Sequence, residues 1–232
     1  MTGKIPIILS WSGGKDAAFC LYRLLQEGRY EVRYLLTTFN DARRSSMHEI
    51  PESLIAAQAE STGIPLLPVR LPPGEAQGYE TAMQQAMGEA KTEGIFTIAF
   101  GDIFLEDLRS YREQQLQHAG MQAVFPLWQI GTAIYLHRFF ESGFKAVICC
   151  INESMLDAAY CGRLLDPALI SGFPATADPC GENGEYHSFC FDGPVFTRPV
   201  AYKSAGFFTS HFPAPDDAGR QVAFRHLCLK NP

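Results

Sequence analysis

The apolar positions of this chain fall into runs that alternate between two periods. "IPIILS" (5–10) is a nearly continuous apolar run of strand length, and "DAAFCLYRLLQE" (16–27) carries its apolar residues at helical spacing. "VRYLLTTF" (32–39) reads as the next strand, and "PESLIAAQAEST" (51–62) as a helix opened by Pro51 and closed by Gly63. The unit repeats: a strand "IPLLPVRL" (64–71), a helix "YETAMQQAMGEAKTE" (79–93), a strand "IFTIAFG" (95–101) and a helix "EDLRSYREQQLQHA" (106–119) stopped by Gly120. After "MQAVFPLW" the pattern gives a helix over 132–142 and a strand "KAVICCI" over 145–151. Strands separated by helices in this way predict parallel βαβ units, hence an α/β fold with a doubly wound parallel sheet whose ligands sit at the carboxyl ends of the strands.

Past residue 165 the composition shifts toward Pro, Gly, Phe and Asp, and the segments "EYHSFCF", "RPVAYKS", "GFFTSHF" and "QVAFRHLCL" read as short strands and hairpins. The expected organisation is a nucleotide-binding body over 1–165 and a smaller strand-rich region over 166–232.

Bulk properties narrow the partners. With 232 residues and 47% hydrophobic content the chain can bury a large core. A formal charge of −6 argues against binding a nucleic-acid backbone, which needs clustered Lys and Arg. No apolar run is long enough to span a bilayer, so a cytoplasmic protein with no membrane or nucleic-acid partner is expected. The seven cysteines have no C-x-x-C and no framework spacing, and read as reduced, mostly buried thiols.

The stretch that carries chemistry is "SWSGGKDA" (10–17), between the first strand and the first helix. A Walker loop needs G-x-x-x-x-G-K-[ST], and here the first glycine is missing and Asp16 replaces the hydroxyl. The dinucleotide fingerprint G-x-G-x-x-G is absent too. What remains is a Ser/Gly turn on a helix N-terminus, where free amides and the helix dipole attract an anion. Gly13 and Gly14 permit close backbone approach, Ser10 and Ser12 offer hydroxyls, and Lys15 adds positive charge. An aspartate beside an anion makes sense with a cation near it, which points Asp16 toward Mg²⁺, directly or through water. The plain alternative is a structural turn in which Ser12 caps the helix.

This loop resembles the S-G-G-x-D loop of the PP-loop ATP pyrophosphatases, within the Rossmann-like adenine nucleotide alpha hydrolase superfamily. The blocks "SSMHEIPESLIAAQAESTGIPL", "AFGDIFLEDLRSYREQQL", "FPLW" and "DPCGENGEYHSFCFDGPVF" follow, in order, those of the diphthine–ammonia ligase family. The resemblance implies that ATP is gripped by its β and γ phosphates with Mg²⁺, leaving the α phosphorus open. A substrate carboxylate, small-molecule or protein-borne, would attack there, pyrophosphate would leave, and ammonia would displace AMP to form an amide. The candidate catalytic residues are Lys15 and Asp16 of the loop with Glu182, Glu185 and His187 of the later block.

One block departs from the family pattern. Where the diphthamide enzymes carry a motif like E-G-G-E-[YF]-E-[TS], this chain has "GENGEYHS" (181–188), with Asn183 for a glycine and His187 for a glutamate. The variant resembles a bacterial branch for which a corrinoid, in B12 salvage, is an alternative substrate. Read alone, Asp178, Glu182, Glu185 and His187 can bind a polar substrate or supply a base, or can be a solvated turn with Asn183 and Gly184 at its tip.

The remaining candidates surround these. Thr37, Thr38 and Phe39 end the second strand, where the superfamily places adenine contacts, with Phe39 alternatively core. Gly101 and Asp102 end another strand at the ligand edge. "RRSSMHEIP" (43–51) reads as a mobile loop over the site, with Ser46 and His48 as substrate contacts and Arg43 and Arg44 within reach of phosphate. Arg109 and Arg112 share a helix face and can bind carboxylate or pair with Glu106 and Glu113. Asn183 joins the substrate set. An exposed hairpin region can pair across a homodimer. Outside ligases, a non-catalytic ATP sensor remains open, while a tRNA-thiolating enzyme is disfavoured by the acidic charge and absent paired cysteines.

Overall fold

The computed structural model describes residues 3–71, 76–213 and 219–232. Five parallel strands form the main sheet: β1 (Ile5–Ser10), β2 (Tyr30–Phe39), β3 (Leu66–Arg70), β4 (Thr97–Ala99) and β5 (Gln122–Val124), in the order β3-β2-β1-β4-β5. The helices between them are α1 (Lys15–Glu27), α2 (Glu52–Thr62), α3 (Ala76–Thr92) and α4 (Glu106–His118). Central β1 shows why a nearly unbroken apolar run is needed here. Its side chains alternate between faces, so Ile7 and Leu9 enter one core with α1 and α2, while Ile8 enters the other with α3 and α4. The chain leaves β1 toward β2 on one side and arrives at β4 on the other, which opens a crevice at their carboxyl ends.

Helix ends follow the punctuation in the sequence. Pro51 precedes α2, and Gly63 closes it at φ 72°, a left-handed value that glycine adopts without strain. The three-residue β5, hidden in "MQAVFPLW", is too short to give a period and was not expected as a strand.

Two expectations need correction. The strand at 145–151 does not extend the parallel sheet: β6 (Lys145–Asn152) lies in a second, antiparallel sheet with β7 (Tyr186–Asp192), β8 (Lys203–Pro213) and β9 (Gln221–Lys230), ordered β7-β6-β9-β8. The preceding helix, α5 (Thr132–Glu141), decides this. Its Tyr135 and Phe139 rings pack 5.2 and 6.2 Å from Phe19 of α1, which carries the chain over the α1 face and away from the β5 edge. "RPVAYKS" is not a strand either; Pro199 lies in an irregular stretch, and only Lys203 and Ser204 begin β8. A 3-10 turn (Ala158–Tyr160) and a single turn of α6 (Pro167–Ser171) complete the described elements. All seven cysteines are free, six of them buried.

The two sheets are joined through the Ser/Gly loop. Gln58 of α2, fully buried, donates to Gly13 O (2.9 Å) and Cys190 O (2.6 Å) and accepts from Trp11 Nε1 (2.9 Å), while Cys190 N donates to Gly13 O (2.9 Å). Leucine at 58 would fill the volume but leave Trp11 Nε1 and Cys190 O buried without partners, each worth roughly 1–3 kcal/mol. Gln58→Leu is therefore expected to destabilise the fold by about 2–5 kcal/mol in urea unfolding. A loss below about 0.5 kcal/mol, the range of ordinary surface changes, would mean the triad does not hold the loop.

Candidate functional site

The crevice predicted by the topology contains a cavity of about 230 Å³. The loop supplies Ser10, Ser12, Lys15 and Asp16; the end of β4 supplies Gly101 and Asp102; α4 supplies Arg112. The 43–51 loop adds His48, the turn before β7 adds Glu182, and the start of β7 adds Tyr186, His187 and Ser188.

The loop is shaped by close approach. Gly13 sits at φ 82°, and a first side-chain carbon at position 14 would lie 2.6 Å from His48 Cε1 and 3.1 Å from Ser188 O. Ser12 is not the cap of α1. Gly14 occupies that position, its amide donates to Ser12 Oγ at 3.2 Å, and the Lys15 amide donates to Ser188 Oγ of β7 at 3.1 Å. The Asp16 and Ala17 amides are the next first-turn donors, which an α-helix leaves without intrahelical partners at the cavity wall.

Lys15 and Asp16 form a caged ion pair. The Lys15 ammonium is 2.8 Å from both Asp16 oxygens and lies 5.4 and 5.7 Å from the Tyr186 and Tyr135 ring centroids. Tyr135 Oη donates to Asp16 Oδ1 at 2.8 Å. Burial is the largest single effect and opposes the Lys15 charge, yet the acidic groups around it, Asp16 foremost, together outweigh it and the pKa moves upward, so the ammonium keeps its proton.

Two further carboxylates approach. Asp102 pairs with Arg112 (Oδ2–Nε, 2.8 Å), and burial pushes its pKa up against the pull of that guanidinium. Glu182 Oε2 accepts from Ile103 N at 3.2 Å. Burial first, then the Asp16 charge, raises the Glu182 carboxyl to about 8, only partly offset by Lys15. It is held protonated at neutral pH. The histidines are held neutral. Burial lowers His48 to about 4 and His187 well below its ordinary value, their rings are 4.6 Å apart, and His48 Nδ1 is 3.0 Å from Ser188 O. His187 Nε2 is buried with no partner among the described residues.

Other expected site residues stand elsewhere. Glu185 is fully buried and wraps its own turn, accepting from Asp178 N (2.8 Å), Asn183 N (3.0 Å) and Asn183 Nδ2 (3.1 Å). Asn183 is exposed outside the cavity lining. Thr37 Oγ1 donates to Trp11 O at 2.5 Å, Phe39 lies in the core, and Thr38 Oγ1 meets Ser46 Oγ at 3.4 Å. Arg109 pairs with Glu113 and covers the Phe125 and Trp128 rings. The 43–51 loop is pinned: Ser45 N donates to Ile50 O, Ile50 N to Ser45 Oγ and Arg44 Nη1 to Glu49 O, while Arg43 pairs with Glu52. Sequence reasoning missed Gln58, Tyr135 and Ser188. Ser188 stands in the quoted β7 block, but nothing local marks Gln58 or Tyr135.

Among the described residues no group of three His, Cys, Asp or Glu side chains is arranged to hold a metal, and Asp16 is engaged by Lys15 and Tyr135. Among the described residues no helix is long and apolar enough to cross a membrane.

A family model described as the diphthamide synthase N-terminal domain matches residues 5–123, and one described as the diphthamide synthase C-terminal domain matches 131–208. Solved structures match as well. One, titled as the crystal structure of a predicted subunit of tRNA methyltransferase from Methanocaldococcus jannaschii, is 18% identical over 62% of this chain and 80% of its own, with a TM-score of 0.43. No curated protein matches.

Proposed function

The chain belongs to the diphthamide synthase family of PP-loop ATP-utilising enzymes, and we propose that it is an AMP-forming amide ligase acting on a carboxylate and ammonia. One observation carries this reading: an anion-receiving helix N-terminus and a proton-holding carboxylate, Glu182, line the same cavity.

The division of labour follows the two sheets. We assign the β and γ phosphates of ATP to the first-turn amides of α1 with Ser10 and Ser12, and the acceptor to the strand-rich region beyond 165 together with Asp102 and Arg112. Lys15 cancels the Asp16 charge, so the loop does not repel a triphosphate. Mg²⁺, held on the phosphates and approached by Asp16, would supply charge neutralisation for the leaving pyrophosphate. In the first step a carboxylate oxygen bonds to the α phosphorus and the bond to pyrophosphate breaks, leaving an acyl–AMP anhydride. In the second, ammonia bonds to the acyl carbon, the bond to AMP breaks, and the nitrogen gives up a proton. Glu182, ionising near pH 8, is the acceptor for that proton, and the unpartnered Nε2 of neutral His187 orients the nitrogen. Glu185 serves by holding the turn that aims Glu182.

The test is phosphorus NMR of ATP, Mg²⁺ and ammonium with the purified protein, with and without a small-molecule extract. Extract-dependent AMP and pyrophosphate are expected. ADP and phosphate would sink the reading, tight ATP binding without turnover in any extract would favour a sensor, and response to added corrinoid carboxylates would name that substrate.

A further inference from the structure

On the face of the parallel sheet covered by α3 and α4 a second cavity of about 370 Å³ opens between those helices. It exists because α4 fits loosely: of its thirteen residues Leu116 alone is buried, and small Ala86 and Ala90 face the sheet from α3. The walls are Met83 and Met87 from α3 with Leu108 and Leu116 from α4, and the floor is Ile98 and Phe100 from the end of β4. Tyr79 and Tyr111, 38% and 47% exposed, stand at its rim. The volume and the largely apolar, aromatic lining, interrupted by Glu80, Gln84, Lys91, Gln115 and His118, are those of a ligand cavity, and the two thioethers can repack around different shapes.

This groove adjoins the nucleotide cavity, with Phe100 and Arg112 forming part of the lining of both. The Arg112 guanidinium lies 4.2 Å from the Phe100 ring centroid and meets Asp102 through Nε (2.8 Å) and Nη2 (3.3 Å). Among the described residues Nη1 and the second Nη2 proton have no acceptor, and the side chain is 26% exposed. A site with apolar walls ending in a guanidinium suits a ligand with an apolar body and one anionic end.

We propose that the groove between α3 and α4 holds the apolar body of the acceptor, a small amphipathic carboxylate whose carboxylate is drawn by Arg112 to the nucleotide cavity. The proposal rests on the amide-ligase reading and narrows it, since a polar, protein-borne acceptor would leave these walls unused.

Binding can be read without ATP. Titration calorimetry with hexanoate, octanoate, decanoate and 4-phenylbutyrate, against the matching alcohols, is expected to show affinity rising about fourfold per methylene until the groove is full. Arg112→Gln should weaken the carboxylates at least tenfold and leave the alcohols unchanged. Gln84→Trp and Gln115→Trp, both at exposed lining positions, should abolish binding of the whole series while ATP binding persists. Affinities independent of chain length, or indifferent to either tryptophan, would overturn the proposal. So would a dimer in solution that both tryptophans dissociate, which would make the groove a contact between copies. Failure to form AMP and pyrophosphate in the NMR assay would instead remove the ligase reading, whatever the calorimetry shows.

Discussion

Lys15→Ala is expected to lower the rate of AMP and pyrophosphate formation by roughly 10²–10³-fold, the size of effect seen when one charge-stabilising donor is removed from a preorganised site. The reason lies in the charge count around the cavity. Asp16 and Asp102 line it beside a protonated Glu182, Arg112 balances Asp102, and the Lys15 ammonium 2.8 Å from both Asp16 oxygens is what keeps the loop from presenting a net negative charge to phosphate. Without Lys15, ATP binding should weaken together with turnover, so both KM and kcat should move. Arginine should not rescue, because the ammonium is 3% exposed and enclosed by the Tyr135 and Tyr186 rings, with no room for a planar guanidinium. The fold should survive, since Asp16 is 29% exposed and water and Tyr135 can take over its solvation; a thermal melt separates that from unfolding. Activity within fivefold of wild type would take the loop out of the chemistry.

How far the sequence carries can be judged on three features. β1 was legible because a strand buried on both faces must be apolar throughout, and the α1 loop because no other phosphate motif fits its residues. β6 was misplaced for an equally physical reason. "KAVICCI" is buried along nearly its whole length, and that pattern is the same whether the neighbouring strands are parallel or antiparallel. The deciding contacts, Phe19 with Tyr135 and Phe139, connect residues more than a hundred positions apart and leave no local period.

The site shows the same division. Glu182, Glu185 and His187 look equivalent within one polar turn, yet the fold sends Glu182 and His187 into the cavity and turns Glu185 back onto the amides of 178 and 183. Only the path of the turn distinguishes them. Thr37 and Phe39 were marked by position at a strand end, but Thr37 is spent on the Trp11 carbonyl and Phe39 on the core. Gln58 illustrates the reverse: a polar residue inside a helix pattern looks like its solvent face, and its three buried bonds to the loop and β7 exist only once two sheets have met.

The Glu182→Gln substitution tests the chemistry most directly, because glutamine keeps the shape and cannot accept a proton. Loss of a positioned base costs about 10²–10⁴-fold. In the wild type the amide-forming step should rise with pH through a limb near 8, where burial and the Asp16 charge have moved this carboxyl, and in Glu182→Gln that limb should vanish. Formation of acyl–AMP, followed by exchange of labelled pyrophosphate into ATP, should persist in the variant, since that step moves no proton. Stability should shift in the opposite sense to activity. The folded pKa stands above the unfolded 4.5, so the folded state binds more protons between 4.5 and about 8, and wild-type stability falls as pH rises through that window, then levels off. Glu182→Gln lacks this fall, and its thermal midpoint should gain on that of the wild type from pH 5 to pH 9. If the two melting profiles run parallel while the rate limb stays at 8, the titrating group is another residue, and Glu182 only holds the Ile103 amide.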